Sequence, residues 1–176
     1  MVSNIYLIGP RACGKTTVGK QLADKLRLEF YDSDEVLVQK AGCEIAQYVK
    51  QYGWDGFRDL EAEVLRELSQ KQNAVISCGG GIVVREENRA LLSEKFTVYI
   101  KADVQTLANR LQADPNHDQR PSLTGKSIVD EIREVLEARE ELYSGCAGLV
   151  ADGAGSIDDV CVQILESYQS FSKGDK

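Results

Sequence analysis

The stretch that most constrains this chain runs from Gly9 to Thr16 and reads Gly-Pro-Arg-Ala-Cys-Gly-Lys-Thr. It follows the apolar run Ile5–Ile8, which is typical of a strand buried on both faces of a parallel sheet. Apolar residues at helical spacing follow it, from Val18 to Leu26. Between a strand and a helix, Gly-x-x-x-x-Gly-Lys-Thr predicts a P-loop, whose backbone N–H groups and helix N-terminus surround the phosphates of a nucleoside triphosphate. An ordinary glycine turn is the alternative, and the Lys-Thr pair argues against it.

The last two residues of the loop, Lys15 and Thr16, have the chemistry that a bound triphosphate requires. The ammonium of Lys15 can reach the outer phosphates, and the hydroxyl of Thr16 can bind Mg²⁺. Because Mg²⁺ prefers six oxygen ligands, we expect a carboxylate nearby. Asp32 directly follows the predicted second strand, residues 28–31, at the sheet edge where ligands bind. It is therefore the predicted carboxylate.

A second acid, Asp34, lies two residues beyond Asp32. Because side chains alternate along an extended segment, we expect both acids on one side, so that one can face the metal while its neighbour faces an acceptor hydroxyl. Ser33 or Asp34 is the predicted N-cap of the following helix. The alternative for the two acids is that both only cap this helix. Beside a P-loop the functional interpretation is favoured.

Three consecutive glycines, Gly79 to Gly81, follow the predicted third strand at residues 74–77. Glycine adds no side chain to a core and costs backbone entropy. The run therefore predicts a place where the main chain approaches a ligand closely. A strand-to-loop turn is the alternative, although such a turn rarely needs three glycines.

Two arginines lie on apolar helices. Arg139 falls on the core-facing stripe of a helix predicted over residues 128–143, where a guanidinium must be paired or face a cleft. Arg58 follows Phe57 on another apolar helix and precedes Glu61 by three residues, so a helical salt bridge is one interpretation. Two arginines directed at one cleft would instead bind a substrate that carries a carboxylate.

The segment 113–124 interrupts the helical pattern with Pro115, Pro121 and mostly polar residues. We interpret it as a lid whose functional residue is Arg120. Phosphoryl transfer is faster when a mobile cation lies over the phosphates and water is excluded. A plain surface loop is the alternative. Arg110, at the edge of the preceding helix stripe, lies either on the surface or beside a nucleotide base.

Strand-like runs alternate with helical patterns along all 176 residues, which predicts one α/β domain with a parallel sheet. The net charge of −7 argues against broad binding to nucleic acid or anionic membranes. No apolar run approaches the roughly 20 residues that span a bilayer. The five cysteines are scattered, with neither a zinc-like spacing nor a disulfide framework, so we expect reduced thiols and a cytoplasmic protein.

These motifs, in this order, resemble those of shikimate kinase, in the nucleoside monophosphate kinase-like group of P-loop proteins. The resemblance covers residues 4–151 and rests on the P-loop, Asp32-Ser33-Asp34, Gly56-Phe57-Arg58, Gly79-Gly80-Gly81, Arg120-Pro121 and the segment 137–143 with Arg139. The opening Gly-Pro-Arg of the loop is most similar to the second enterobacterial isozyme of the family. The family implies a five-stranded parallel sheet flanked by helices, a lid over 113–124 and a substrate-binding region over about residues 33–61.

The resemblance also implies the reaction: a monomer transfers the γ-phosphoryl group of ATP to the 3-hydroxyl of shikimate, in chorismate and aromatic amino-acid biosynthesis. ATP would be bound by the loop and two arginines beyond it, namely Gly9, Arg11, Ala12, Cys13, Gly14, Lys15, Thr16, Thr17, Arg110 and Arg120. Shikimate would be bound by Asp34, Arg58, Gly79, Gly80, Gly81 and Arg139. The implied catalytic residues are Lys15, Asp34 and Arg120, and the implied Mg²⁺ ligands are Thr16 and Asp32.

Two other functions stay open at this point. A gluconate-type sugar-acid kinase shares the loop and the layout. A catalytically inactive nucleotide-binding module, acting through a partner, is favoured only by Ala12, which departs from the glycine common there in the family. If position 12 requires a positive φ, alanine costs about 1 kcal/mol or more and weakens nucleotide binding.

Overall fold

The computed structural model describes residues 4–113 and 126–174. Its five strands are β1 (Ile5–Ile8), β2 (Glu29–Asp32), β3 (Ala74–Ser77), β4 (Phe96–Lys101) and β5 (Leu149–Asp152). They form one all-parallel sheet in the order β2-β3-β1-β4-β5. The helices described are α1 (Lys15–Leu26), α2 (Ser33–Ala41), α3 (Ile45–Ser69), α4 (Glu86–Ser93), α5 (Val104–Ala113), α6 (Ile128–Cys146) and α7 (Ile157–Gly174).

Alternation along β1 divides the core between the two faces of the sheet. Ile5 and Leu7 belong to a cluster that α1, α5 and α7 complete, whereas Tyr6 and Ile8 belong to a second cluster with α3, α4 and the end of α6. All four residues of β1 are fully buried. The apolar run that predicted a strand covered on both faces therefore has helices on both sides, and the predicted α/β architecture is confirmed.

The order of the strands decides where the chemistry can lie. From β1 the chain crosses beyond β3 to form β2, returns to β3, and then crosses to β4 on the other side of β1. This reversal leaves a crevice at the carboxyl ends of the central strands, which is where open parallel sheets bind ligands. The loops that follow β1, β2 and β3 all meet at this edge.

Several predicted boundaries shift by one residue. The second strand, predicted at 28–31, lies at Glu29–Asp32. The sequence also predicts a last strand at 148–151, which lies at Leu149–Asp152. The sequence pattern predicts a short helix over residues 44–50 and a second helix from Trp54, whereas the structure has one helix, α3, with a kink at Gly53, where φ is 71° and ψ is 177°. Glycine adopts this backbone without steric cost.

The predicted cap of α2 is wrong, and so is the alternation used to place the two acids. Asp32, not Ser33 or Asp34, is the N-cap: its backbone is still extended, and its carboxylate accepts a hydrogen bond from the Asp34 N–H at 3.0 Å. Asp34 already belongs to the first turn of α2. The two acids are therefore neighbours across a strand-to-helix junction, rather than alternate residues of one strand.

The predicted lid, 113–124, lies outside the described residues apart from Ala113, which ends α5. Arg120 lies outside them too. Within residues 4–113 and 126–174, no helix has the length and apolar character to cross a membrane.

Candidate active site

The P-loop connects β1 to α1 and has the backbone that its glycines allow. Gly9 has φ 143° and Gly14, the N-cap of α1, has φ 104°. A Cβ at Gly9 would lie 2.6 Å from the Ile100 carbonyl oxygen, so a side chain there would collide with β4. Ala12 has φ 64°, the left-handed region that glycine would occupy without strain. Position 12 therefore has the positive φ at which alanine is expected to cost free energy and to weaken nucleotide binding.

Lys15 is buried inside the loop that it terminates. Its Nζ donates hydrogen bonds to the carbonyl oxygens of Gly9 at 2.9 Å and Pro10 at 2.7 Å. It also lies 3.6 Å from the Sγ of Cys13. These contacts hold the ammonium among the backbone atoms that would surround a triphosphate.

Three side-chain oxygens from different elements meet beside Lys15. The Thr16 hydroxyl donates to Asp32 Oδ2 at 2.9 Å and lies 3.5 Å from the Ser77 hydroxyl. Hydroxyl and carboxylate oxygens are the ligands that Mg²⁺ prefers, so this donor set fits the ion. In the part of the chain that the structure describes, no three His, Cys, Asp or Glu side chains form a metal cluster. An ion here would therefore take its remaining ligands from phosphate and water.

The glycine run lies against charged side chains. A Cβ at Gly79 would lie 2.7 Å from Asp34 Oδ1 and 3.0 Å from Glu61 Oε1. The Gly79 N–H donates to the Ser33 hydroxyl at 2.8 Å. We attributed these glycines to close approach of a ligand, and the structure adds a second reason, because charged side chains already fill the space beside them.

Arg58 and Glu61 form a buried ion pair on α3. Their side chains meet at 2.6 Å between Nη1 and Oε2, and the residues are only 9% and 2% exposed. The helical salt bridge considered from the spacing is therefore present, but inside the protein rather than on its surface. Burial raises the pKa of Glu61, and the nearby Arg58 charge opposes that rise. The Arg58 guanidinium also lies over the rings of Trp54 and Phe57, at 5.6 and 5.1 Å.

Arg139 reaches the glycine run from α6. Its Nη1 donates to the Gly80 carbonyl oxygen at 3.1 Å, and the side chain is half-buried. Tyr143, one turn further along α6, donates its hydroxyl to the same oxygen. Both arginines predicted to bind a carboxylate thus lie next to Gly79–Gly81, Arg58 against Gly81 and Arg139 against Gly80.

Arg110 lies against the P-loop and is not a free surface residue. Its Nη1 donates to the carbonyl oxygens of Ala12 at 3.4 Å and Cys13 at 3.3 Å, and its Nη2 to that of Gly153 at 2.8 Å. The arginine therefore joins α5, the loop and the turn after β5.

One cleft of about 540 Å³ brings most of these groups together. Its lining includes the P-loop and its first helical residues, both acids, and one glycine of the run: Arg11, Ala12, Gly14, Lys15, Thr16, Thr17, Asp32, Asp34, Ser77, Cys78, Gly80, Arg110 and Ile157. The loop and the acidic pair therefore face the same space. Arg58 and Arg139 border it through the glycine run.

Four side chains of the site were not predicted as functional. Ser33 accepts the Gly79 N–H, and Ser77 lies beside the Thr16 hydroxyl. Glu61 pairs with Arg58, and Tyr143 contacts Gly80. For Tyr143 the sequence carried a usable signal, since it lies four residues after Arg139 on the same apolar stripe. For Ser33 and Ser77 a hydroxyl at a strand end is too common to single out.

A P-loop at the carboxyl edge of a parallel sheet, with an acidic pair and two arginines beside it, defines a class: ATP-dependent kinases that phosphorylate a small molecule. The sequence model of the shikimate kinase family matches residues 11–169, and the chain belongs to that family. This family uses ATP as its phosphate donor. The family predicted from the sequence motifs is confirmed.

Curated relatives match nearly the whole chain. It is 46% identical over 172 residues to the shikimate kinase of Nitratidesulfovibrio vulgaris, covering 97% of this chain and 98% of that one. It is 45% identical over 167 residues to shikimate kinase 2 of Sodalis glossinidius, covering 94% and 95%. Similarity to proteins named shikimate kinase 2 agrees with the isozyme that the opening of the P-loop indicated.

Solved structures give the same fold. The shikimate kinase from Acinetobacter baumannii in complex with shikimate superposes with a TM-score of 0.87 at 30% identity, covering 99% of this chain and 95% of that one. The enzyme from Aquifex aeolicus gives 0.81 at 36% identity, with coverages of 96% and 98%. A gluconokinase from Sinorhizobium meliloti gives 0.65 at 17% identity, covering 98% and 95%, which shows a shared fold alone.

Proposed function

We propose that this chain transfers the γ-phosphoryl group of ATP to the 3-hydroxyl of shikimate, giving shikimate 3-phosphate and ADP. The observation that carries the proposal is the single cleft that joins the P-loop to Asp34 and the glycine run, with a guanidinium against each of two glycines. Loop amides and an ammonium suit the phosphates, and paired guanidinium groups suit a carboxylate. A solved relative is a complex with shikimate.

Arg58 and Arg139 bind the carboxylate in this mechanism, and that places the ring with its hydroxyls toward Asp34. Asp34 accepts a hydrogen bond from the 3-hydroxyl and orients its oxygen toward the γ-phosphorus. A new O–P bond forms there while the bond to the β-phosphate oxygen breaks, and the hydroxyl proton leaves toward Asp34. Most of the rate gain then comes from holding the two partners in line.

The P-loop N–H groups and Lys15 stabilise the negative charge on the transferred group. We further propose that Thr16, and Asp32 through water, hold Mg²⁺, which supplies additional neutralisation of phosphate charge when bound. Arg110 borders the nucleotide base from its position against Ala12 and Cys13. Arg120 would complete the set from the lid, a role that rests on the family resemblance.

A coupled ADP-release assay tests the function, with shikimate and gluconate offered side by side. We expect turnover with shikimate and none with gluconate. Lys15→Ala and Arg139→Ala should each lower turnover by about a hundredfold or more, the first through the nucleotide and the second through the acceptor. Full shikimate affinity in Arg139→Ala would contradict the assignment. Tight ATP binding without shikimate-dependent turnover would favour the inactive nucleotide-binding module.

We also propose that the chain works as a monomer in the cytoplasm. The monomer is what the resemblance to the family implies. The five cysteines are all free thiols, which is typical of a reducing compartment. Sedimentation at micromolar concentration tests the first statement, and a dimer at assay concentration would contradict it.

A further inference from the structure

The carbonyl oxygen of Gly80 has two hydrogen-bond donors, both from α6. Arg139 Nη1 donates to it at 3.1 Å, and the Tyr143 hydroxyl donates to the same atom. The two residues are four apart, so they lie on one face of the helix. Gly80 also packs on the P-loop, where a Cβ would lie 3.4 Å from the Arg11 nitrogen. This peptide is therefore held between the nucleotide loop and α6.

Tyr143 is fixed in place by more than this one hydrogen bond. Its ring is fully buried and stacks on Tyr99, with centroids 5.0 Å apart and the planes 22° apart. The Tyr99 hydroxyl in turn donates to Glu140 at 2.6 Å, which also accepts from Lys101 at 2.6 Å. Burial raises the pKa of Tyr143 to about 12, so its hydroxyl keeps its proton at neutral pH. The phenol is thus a permanent donor aimed at the glycine run.

We propose, on the basis of the proposed function, that Tyr143 is a positioning residue that keeps the Gly80 carbonyl hydrogen-bonded while Arg139 turns to the substrate carboxylate. The Gly80 carbonyl is partly buried, so losing its donor costs free energy. With Arg139 as its sole donor, that carbonyl would compete with the substrate for the guanidinium. The tyrosine hydroxyl removes the competition because it remains on the oxygen when the arginine leaves.

The test is Tyr143→Phe, which removes the donor and keeps the stacked ring. We expect the KM and the calorimetric Kd for shikimate to rise by about threefold to tenfold, since one neutral hydrogen bond is at stake. The KM for ATP, the Kd for ADP and kcat should stay within about twofold of wild type. A purely structural role would not separate the two substrates in this way.

Tyr99→Phe is the matched control, because it removes a hydroxyl from the neighbouring buried ring without touching Gly80. Its affinity for shikimate should equal that of wild type, and urea unfolding of both variants reports any loss of fold. Equal shikimate affinity in Tyr143→Phe and wild type would overturn the inference alone. Parallel losses for shikimate and ADP, or equal losses in both phenylalanine variants, would also overturn it. Absence of shikimate binding by wild type would overturn the proposed function, and this inference with it.

Discussion

The guanidinium group of Arg58 lies directly against the backbone of Gly81. A Cβ at position 81 would lie 1.9 Å from Arg58 Nη1 and 2.2 Å from its Cζ, well inside the contact distance of real atoms. The group has little freedom to retreat, because Glu61 holds it on one side and the rings of Trp54 and Phe57 border it on another. Glycine at position 81 is thus a requirement set by the arginine.

Gly81→Ala should therefore displace Arg58 and weaken binding of the acceptor. We expect the KM for shikimate to rise by about tenfold or more, the effect of losing charge-assisted hydrogen bonds, with little change in the KM for ATP. Gly145→Ala is the control, since position 145 is exposed in α6 and, apart from its own stretch of helix, no atom of the residues described lies within 4 Å of the new methyl group. Initial-rate kinetics at varied shikimate check the result, and unchanged shikimate KM in Gly81→Ala would contradict this role of the glycine.

Ala12→Gly should stabilise the protein. Ala12 has φ 64°, where an L-residue carries strain that glycine lacks, although glycine loses more backbone entropy on folding. We expect a net gain of about 1 kcal/mol or less in the free energy of unfolding, and tighter ATP binding. Ala12→Val should do the reverse, because a β-branched side chain is disfavoured at positive φ. Urea denaturation measures both variants, and a less stable glycine variant would show that the loop gains from the alanine methyl group.

The parts of the site that sequence could predict are those whose chemistry is local. The P-loop is a contiguous motif between a strand and a helix, and its geometry follows from Gly9, Gly14 and the helix N-terminus. The position of Arg139 on an apolar stripe predicts that its guanidinium is paired or faces a cleft, and it donates to the Gly80 carbonyl oxygen. The placement of Asp32 at a strand end followed from the parallel sheet, in which the carboxyl ends of strands meet at one edge.

The rest depends on contacts between residues far apart in the chain. The spacing of Arg58 and Glu61 could not separate a solvated helical pair from a buried one, because burial is decided by the glycine run and the helices packed around it. The spacing of Asp32 and Asp34 also could not show that a helix begins between them. That helix, α2, begins at Ser33 because the Asp32 carboxylate caps it. Propensity alone places such junctions only to within a residue or two.

The stability contributed by Glu61 should fall as the pH rises. Burial raises the pKa of this carboxyl above 4.5, so the folded protein holds the proton more tightly than the unfolded chain does. Its contribution to stability is therefore fully present below the unfolded pKa and is lost as the pH rises through the folded pKa. We expect the unfolding free energy of wild type, relative to Glu61→Gln, to decrease over that window, as measured by urea denaturation at a series of pH values.

The exposed residue Glu94, changed to Gln in the same way, provides the baseline for the effect of net charge on stability. If the free energy of unfolding of wild type, relative to Glu61→Gln, instead increased with pH, the Arg58 charge would have a larger effect than burial on the pKa of Glu61. The pKa of Glu61 would then be lowered by its partner, and the pair would stabilise the fold at neutral pH.

Asp32→Asn should raise the Mg²⁺ concentration that half-maximal activity requires, by about tenfold or more. Asparagine is also a good N-cap, so the start of α2 should survive while the anionic oxygen beside Thr16 is lost. Asp103→Asn makes the same change at a residue whose carboxylate accepts the Thr106 N–H at 2.9 Å, outside the lining of the cleft, and should leave the requirement unchanged. Both variants are titrated with Mg²⁺ at saturating ATP and shikimate after treatment with a chelator. An unchanged Mg²⁺ requirement in Asp32→Asn would remove this carboxylate from the metal site and leave it the structural role of capping α2.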